Sequence, residues 1–195
     1  MHQAGLPRSQ EAEGSPADGR APANGRARSY TWADPAISAA AARNVDGASF
    51  LRAILDGGLP AAPVAQTLDF APVSVEPGTV IFEFTPAEFH YNPIGSVHGG
   101  VMATLCDSAC GCAVQSLLPA GTYYTSLDLS VKFLRAVDSG TGRLRCTGTV
   151  THLGGRSALA EARLTGRDGS LHAYATSSCM IFRPQATAAS ADPPR

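Results

Sequence analysis

One carboxylate, Asp107, stands inside a run of small and apolar residues from Val101 to Leu118. An ionised carboxylate in such company is costly unless it has partners or chemistry to perform. That makes Asp107 the first candidate for a general base or nucleophile. Directly ahead of it runs Asn92-Pro93-Ile94-Gly95-Ser96-Val97-His98-Gly99-Gly100. Consecutive glycines at a helix start leave backbone N–H groups unpaired and unshielded. Such groups favour negative charge, including the oxyanion that grows on an attacked carbonyl. Gly99 and Gly100 could equally serve tight packing at a helix entry. His98 could donate to a carbonyl or hold the loop, and Asn92 could orient a water or a thiolate or simply shape its Asn-Pro turn.

Spacing limits how these groups can cooperate. Asp107 follows His98 by nine residues, so on an ideal helix it lies about 13 Å further on and about half a turn round. Within one chain the helix entry and the carboxylate cannot both hold one small reacting group. If both act, they come from different subunits, and a two-fold dimer would create two identical sites.

Other polar residues are weaker candidates. Thr125 and Ser126 could hydrogen-bond to Asp107, whereas Asp128 falls on a polar face where a solvated position is ordinary. Lys132, Arg135 and Arg156 could meet phosphates, although isolated basic residues usually sit at the surface. The five cysteines include Cys106, Cys110 and Cys112 in the apolar run, where Cys commonly serves as a small hydrophobe. A metal would need a Cys-x-x-Cys pair or a spaced His pair, and neither completes the set, so no metal is expected. The odd count without a secretory signal favours reduced thiols and the cytoplasm. A formal net charge of -1 argues against bulk binding to nucleic acid or to an acidic membrane. Asp107, Ser108, Gly111 and Gln115 interrupt the apolar run, which reads as a buried helix rather than a membrane span. Nucleophile-elbow, Walker and dinucleotide glycine signatures are absent.

The elements that must position these residues follow from periodicity. Residues 1–30 and 186–195 hold too few large apolar side chains to repay ordering and are expected to be disordered. Phe50, Leu51, Ile54 and Leu55 recur at helical spacing before Gly57-Gly58. Val64 to Val75 and Thr79 to Thr85 read as strands joined by Glu76-Pro77-Gly78. Thr122 to Arg135 alternates cleanly and reads as one strand, with Tyr123, Thr125, Leu127, Leu129, Val131 and Phe133 on one face. Strands at about 142–152 and 157–165 flank the tight turn Leu153-Gly154-Gly155-Arg156, and 171–182 forms the last strand. The expected order is strand, strand, long helix, then four strands in meander. An antiparallel sheet curved around one central helix, an α+β architecture, accommodates that helix and the hairpins.

The pattern Asn92-Pro-x-Gly95-x-x-His98-Gly99-Gly100 followed by Thr104-Leu105-x-Asp107-Ser108-Ala109-x-Gly111 resembles the hotdog-fold acyl-CoA thioesterases, specifically the phenylacetate-degradation (PaaI-like) subfamily. The resemblance includes Lys132-Phe133-Leu134-Arg135 and Gly154-Gly155-Arg156-Ser157 and covers a domain at residues 48–184. It implies a hotdog fold working as a homodimer, often paired into a homotetramer. It implies hydrolysis of an aromatic or short- to medium-chain acyl-CoA, with coenzyme A only as part of the substrate and no other cofactor. Asp107 would be base or nucleophile, Gly99 the oxyanion donor and His98 its support. Asn92 would position water or thiol, and Ser126 or Thr125 would assist Asp107. Gly100, Lys132, Arg135, Gly155, Arg156 and Ser157 would lie near coenzyme A. A hotdog hydratase or dehydratase, or a module that binds acyl-CoA without turnover, are the alternatives.

Overall fold

The computed structural model describes residues 25–183. Of the two tails expected to be disordered, residues 1–24 of the first and the whole of 186–195 lie outside the described residues. Residues 25–30 are described and anchored: Arg28 donates to the carbonyls of Gln66 and Thr67 and lies 3.9 Å over the Phe89 ring.

Three short helices precede the sheet: α1 (Pro35–Ala41), α2 (Gly47–Leu55) and α3 (Pro63–Leu68). The Asp46 side chain caps α2 by accepting from the Ser49 N–H at 2.9 Å, satisfying a donor that has no intrahelical partner. The segment from Val64 was expected to be strand, yet its first part is α3. Pro63 occupies the first helical position, where its fixed φ suits a helix and its missing N–H costs nothing. Asp69, left-handed at φ 55, ends that helix and turns the chain into β1 (Phe70–Glu76).

β1 pairs with β2 (Thr79–Phe84) through the Pro77-Gly78 turn, Gly78 supplying φ 80. The long helix α4 (Gly99–Gln115) follows, then β3 (Tyr123–Ser126), β4 (Ser130–Phe133), β5 (Leu144–Leu153), β6 (Ser157–Thr165) and β7 (Leu171–Phe182). All pair antiparallel in one sheet of order β1-β2-β5-β6-β7-β3, with β4 also on β7. The expected meander therefore holds for β5, β6 and β7 only. The chain crosses from β4 at one edge to β5 beside β2, in the middle of the sheet.

The single strand expected over 122–135 is two strands. Ser126 pairs with Cys179 and Ser130 with Thr176, so the edge carries one more residue than β7 between those pairs. That extra residue is a bulge. Asp128 sits in it, its carboxylate accepting from Ser178 N–H at 3.0 Å and its carbonyl from Ser177 Oγ at 2.8 Å. The bulge inverts the facing: Tyr124 and Ser126 point to α4 before it, and Val131 and Phe133 after it.

α4 lies close on the sheet because both surfaces are small. Leu105, Cys106, Ala109, Cys110, Ala113 and Val114 meet Ala158, Ala160, Ala162, Ala173, Ala175 and Cys179, all buried. Gly148 on β5 marks the tightest approach, since a Cβ there would collide with the Ala109 carbonyl. The helix is not covered on every side. Ala103, Thr104, Asp107 and Ser108 are only half-buried, and the first three share one stripe of helical spacing.

Candidate active site

The Asn92–His98 loop is fixed from below by His90. That ring is buried between Phe84 and Phe89, with centroids at 4.7 and 4.0 Å. Its Nδ1 accepts from Ala87 N–H at 3.0 Å and its Nε2 lies 2.9 Å from the Leu68 carbonyl, so Nε2 carries the proton. Burial holds its pKa below the ordinary imidazole value. The His90 carbonyl accepts from His98 N–H at 2.8 Å. Asn92 turns its side chain on its own loop: Oδ1 accepts from the N–H groups of Ile94 and Ser96, and Nδ2 donates to Ser96 Oγ.

His98 is the N-cap of α4, its Nδ1 accepting from Gly100 N–H at 2.8 Å. Sequence reasoning left both glycine amides open; the cap engages Gly100 and leaves Gly99. As the first helical residue, Gly99 has no intrahelical acceptor for its N–H. Phe133, 52% exposed, lies over it, its Cζ 3.1 Å from where a Cβ would stand.

Two turns along, on the uncovered stripe, Asp107 Oδ1 accepts from Ser126 Oγ at 3.1 Å. The choice between Ser126 and Thr125 is decided by register. Ser126 opposes Cys179 and faces the helix, whereas Thr125 opposes Met180 and faces out. One side of Asp107 opens on a shallow surface hollow with Ala103, Thr104 and the 127–129 bulge. The other side borders an apolar cavity of about 210 Å³ between α4, the α2–α3 segment and the start of the sheet. Sequence reasoning missed this cavity, because Leu51 and Ile54 read as the apolar face of a short helix and Ala65 and Phe70 as parts of a strand.

The basic candidates are not gathered in one chain. Lys132 opposes Tyr174 on β7, while the Arg156 carbonyl accepts from Ile181 N–H. About 23 Å of strand separates those positions. Arg135 sits beyond Lys132, its N–H donating to the His172 carbonyl, while Gly155 and Arg156 lie in the exposed β5–β6 turn and Ser157 opens β6. Among the described residues no cluster of three His, Cys, Asp or Glu could hold a metal, and no helix is long and apolar enough to cross a membrane.

Residues 94–173, from the loop through the helix to the last strand, match the family described as the thioesterase superfamily. The domain has the hotdog fold. Its α4 is the enclosed helix and its antiparallel sheet the wrapping. A phenylacetic acid degradation-related protein of Ralstonia eutropha JMP134 shares 28% identity, covers 67% of this chain and 98% of its own, and superposes with a TM-score of 0.61. The PaaI protein from the phenylacetic acid degradation operon of E. coli shares the fold at 20% identity, covering 70% of this chain and 94% of its own with a TM-score of 0.61. A conserved protein of Pseudomonas aeruginosa matches at 26% identity over 63% of this chain and 95% of its own, with a TM-score of 0.59. Among curated proteins none matches. The hotdog is PaaI-like in the order and placement of its elements.

Proposed function

We propose that this chain hydrolyses acyl-CoA thioesters at two sites shared between copies of itself. The observation that carries the reading is Asp107, oriented by Ser126 on the stripe of α4 that its own sheet leaves uncovered. The open Gly99 amide lies about 12 Å back along the same helix, too far to serve the same carbonyl. A two-fold partner brings one chain's helix entry to the other chain's carboxylate.

In that arrangement the thioester oxygen points at the N–H of Gly99 of the partner subunit. Asp107 takes a proton from a water that attacks the carbonyl carbon, or attacks that carbon itself. Negative charge builds on the oxygen, where a fixed amide stabilises it most. Collapse breaks the carbon–sulfur bond, and the coenzyme A thiolate leaves and is protonated. With direct water attack the proton held by Asp107 supplies the leaving thiol; in the anhydride route the thiolate takes a proton from solvent, and a water then cleaves the anhydride to the free acid and Asp107, which returns a proton to solvent. The products are a free acid and coenzyme A, and the chemistry needs no further cofactor.

His98 supports the Gly99 contact by fixing the helix start. Asn92 keeps the loop in shape, so its part is to position rather than to touch water. The exposed Gly155-Arg156-Ser157 segment is the better candidate for the nucleotide phosphates, with Lys132 and Arg135 too distant to join it in one chain. The acyl-CoA substrate and the free cysteines fit a reducing cytoplasm. A hydratase would need a His paired with the carboxylate, and His98 is tied to the helix cap. Thiol release from purified protein and a panel of acyl-CoAs tests the reading; Asp107→Ala with full turnover would remove Asp107 from it.

A further inference from the structure

Behind the cavity beside Asp107 lies a second and larger one of about 660 Å³, under α1 and α2. Leu51, Cys112 and Tyr124 line both. Ligand pockets usually occupy about 300–1,000 Å³. The first chamber, at about 210 Å³, falls below that range, whereas the second lies inside it. The three shared side chains thus separate a small chamber at the carboxylate from ample unused space.

Resting on the thioesterase reading, we propose that the first chamber takes the acyl group and that Leu51, Cys112 and Tyr124 form a partition setting the longest chain it accepts. The favoured substrates are neutral short-chain or single-ring acyl groups, because Asp107 is the one charged residue on a wall otherwise built of apolar and small side chains.

Helix geometry sets the scale. Cys112 follows Asp107 by about 7.5 Å along α4, and Gln115 in the second chamber by about 12 Å. Tyr124 keeps its place because Gly111 has no Cβ: one there would collide with the Tyr124 hydroxyl. The partition stays uncharged, as a wall against an alkyl chain must. Burial raises the Cys112 thiol to about 12 and pushes the Tyr124 phenol well above its ordinary value. Cys112 is therefore no competing nucleophile. Leu51, Ile54, Ala65 and Phe70 precede the family-matched segment, so the family match does not extend to this wall of the chamber.

The test compares Leu51→Ala, Cys112→Ala and Cys112→Leu with the unaltered protein. Straight-chain acyl-CoAs from two to twelve carbons and benzoyl-CoA are followed by kcat/KM and by equilibrium binding. Opening the partition moves the optimum to longer chains, with about fourfold gain for each methylene newly enclosed. Cys112→Leu moves it to shorter ones. An unchanged chain-length profile in both Cys112 variants overturns the partition while leaving hydrolysis intact. If Leu51→Ala does not fold, Cys112→Ala, which removes one sulfur atom, carries the same comparison. If no acyl-CoA is hydrolysed, the thioesterase reading fails, and the binding profiles alone decide the partition by the same shifts.

Discussion

Ser126 Oγ donates to Asp107 Oδ1 over 3.1 Å, linking the edge strand to the central helix. A net hydrogen bond of this kind is worth about 0.5–1.5 kcal/mol, so its value lies in aiming the carboxylate. Ser126→Ala should lower kcat/KM about two- to tenfold, whereas Thr125→Val, on the opposite face, should leave it unchanged. Asp107→Asn should cost about 10²–10⁴ in kcat, the usual yield of a positioned base. Thiol release checks all three; equal losses for Ser126→Ala and Thr125→Val would contradict the register argument.

Gly99 can be tested without disturbing the helix. Proline is well tolerated at a first helical position and removes only the N–H. Gly99→Pro should retain the helical circular dichroism and lose about 10²–10³ in kcat, the range seen on removing an oxyanion donor. Phe133 is exposed enough to yield to the ring. Full activity would show that another donor serves the oxyanion.

Gly148 makes a prediction about stability. A Cβ there meets the Ala109 carbonyl of α4 rather than a flexible side chain. Gly148→Ala should therefore destabilise by about 1–3 kcal/mol or more and lower Tm. An unchanged Tm would mean that the helix is not seated closely on β5.

His90 makes the fold sensitive to acid. Its folded pKa lies below the unfolded value of about 6.5. The unfolded chain therefore binds more protons than the native one as pH falls through that region, and stability rises with pH there. The stabilisation is complete above about 6.5 and declines as pH drops towards the lower folded value. His90→Gln should flatten the dependence of Tm on pH between 5 and 7; an identical slope would assign it to another group.

The central helix, its Gly-Gly entry and the lone carboxylate were all legible in the sequence, because each depends on residues close together in the chain. The terminal strands were legible for the same reason. Pro63 was not read as a helix start because the apolar residues after it suit a strand equally well. The bulge at 127–129 escaped because alternation reads smoothly through it; only the pairing with β7 shows that the facing inverts. The crossover from β4 to β5 and the chambers beside Asp107 are products of distant packing, which no local pattern encodes.

Two inactive proteins should repair each other. On the proposed shared site, Asp107→Ala and Gly99→Pro should each spoil both sites of their own dimer, and a mixed dimer should regain one intact site. Unfolding and refolding an equimolar mixture should then recover about a quarter of the unaltered activity, since half of the dimers are mixed and each has one working site. A mixture as inactive as its parents, in a sample shown to contain mixed dimers, would contradict a site shared across the interface.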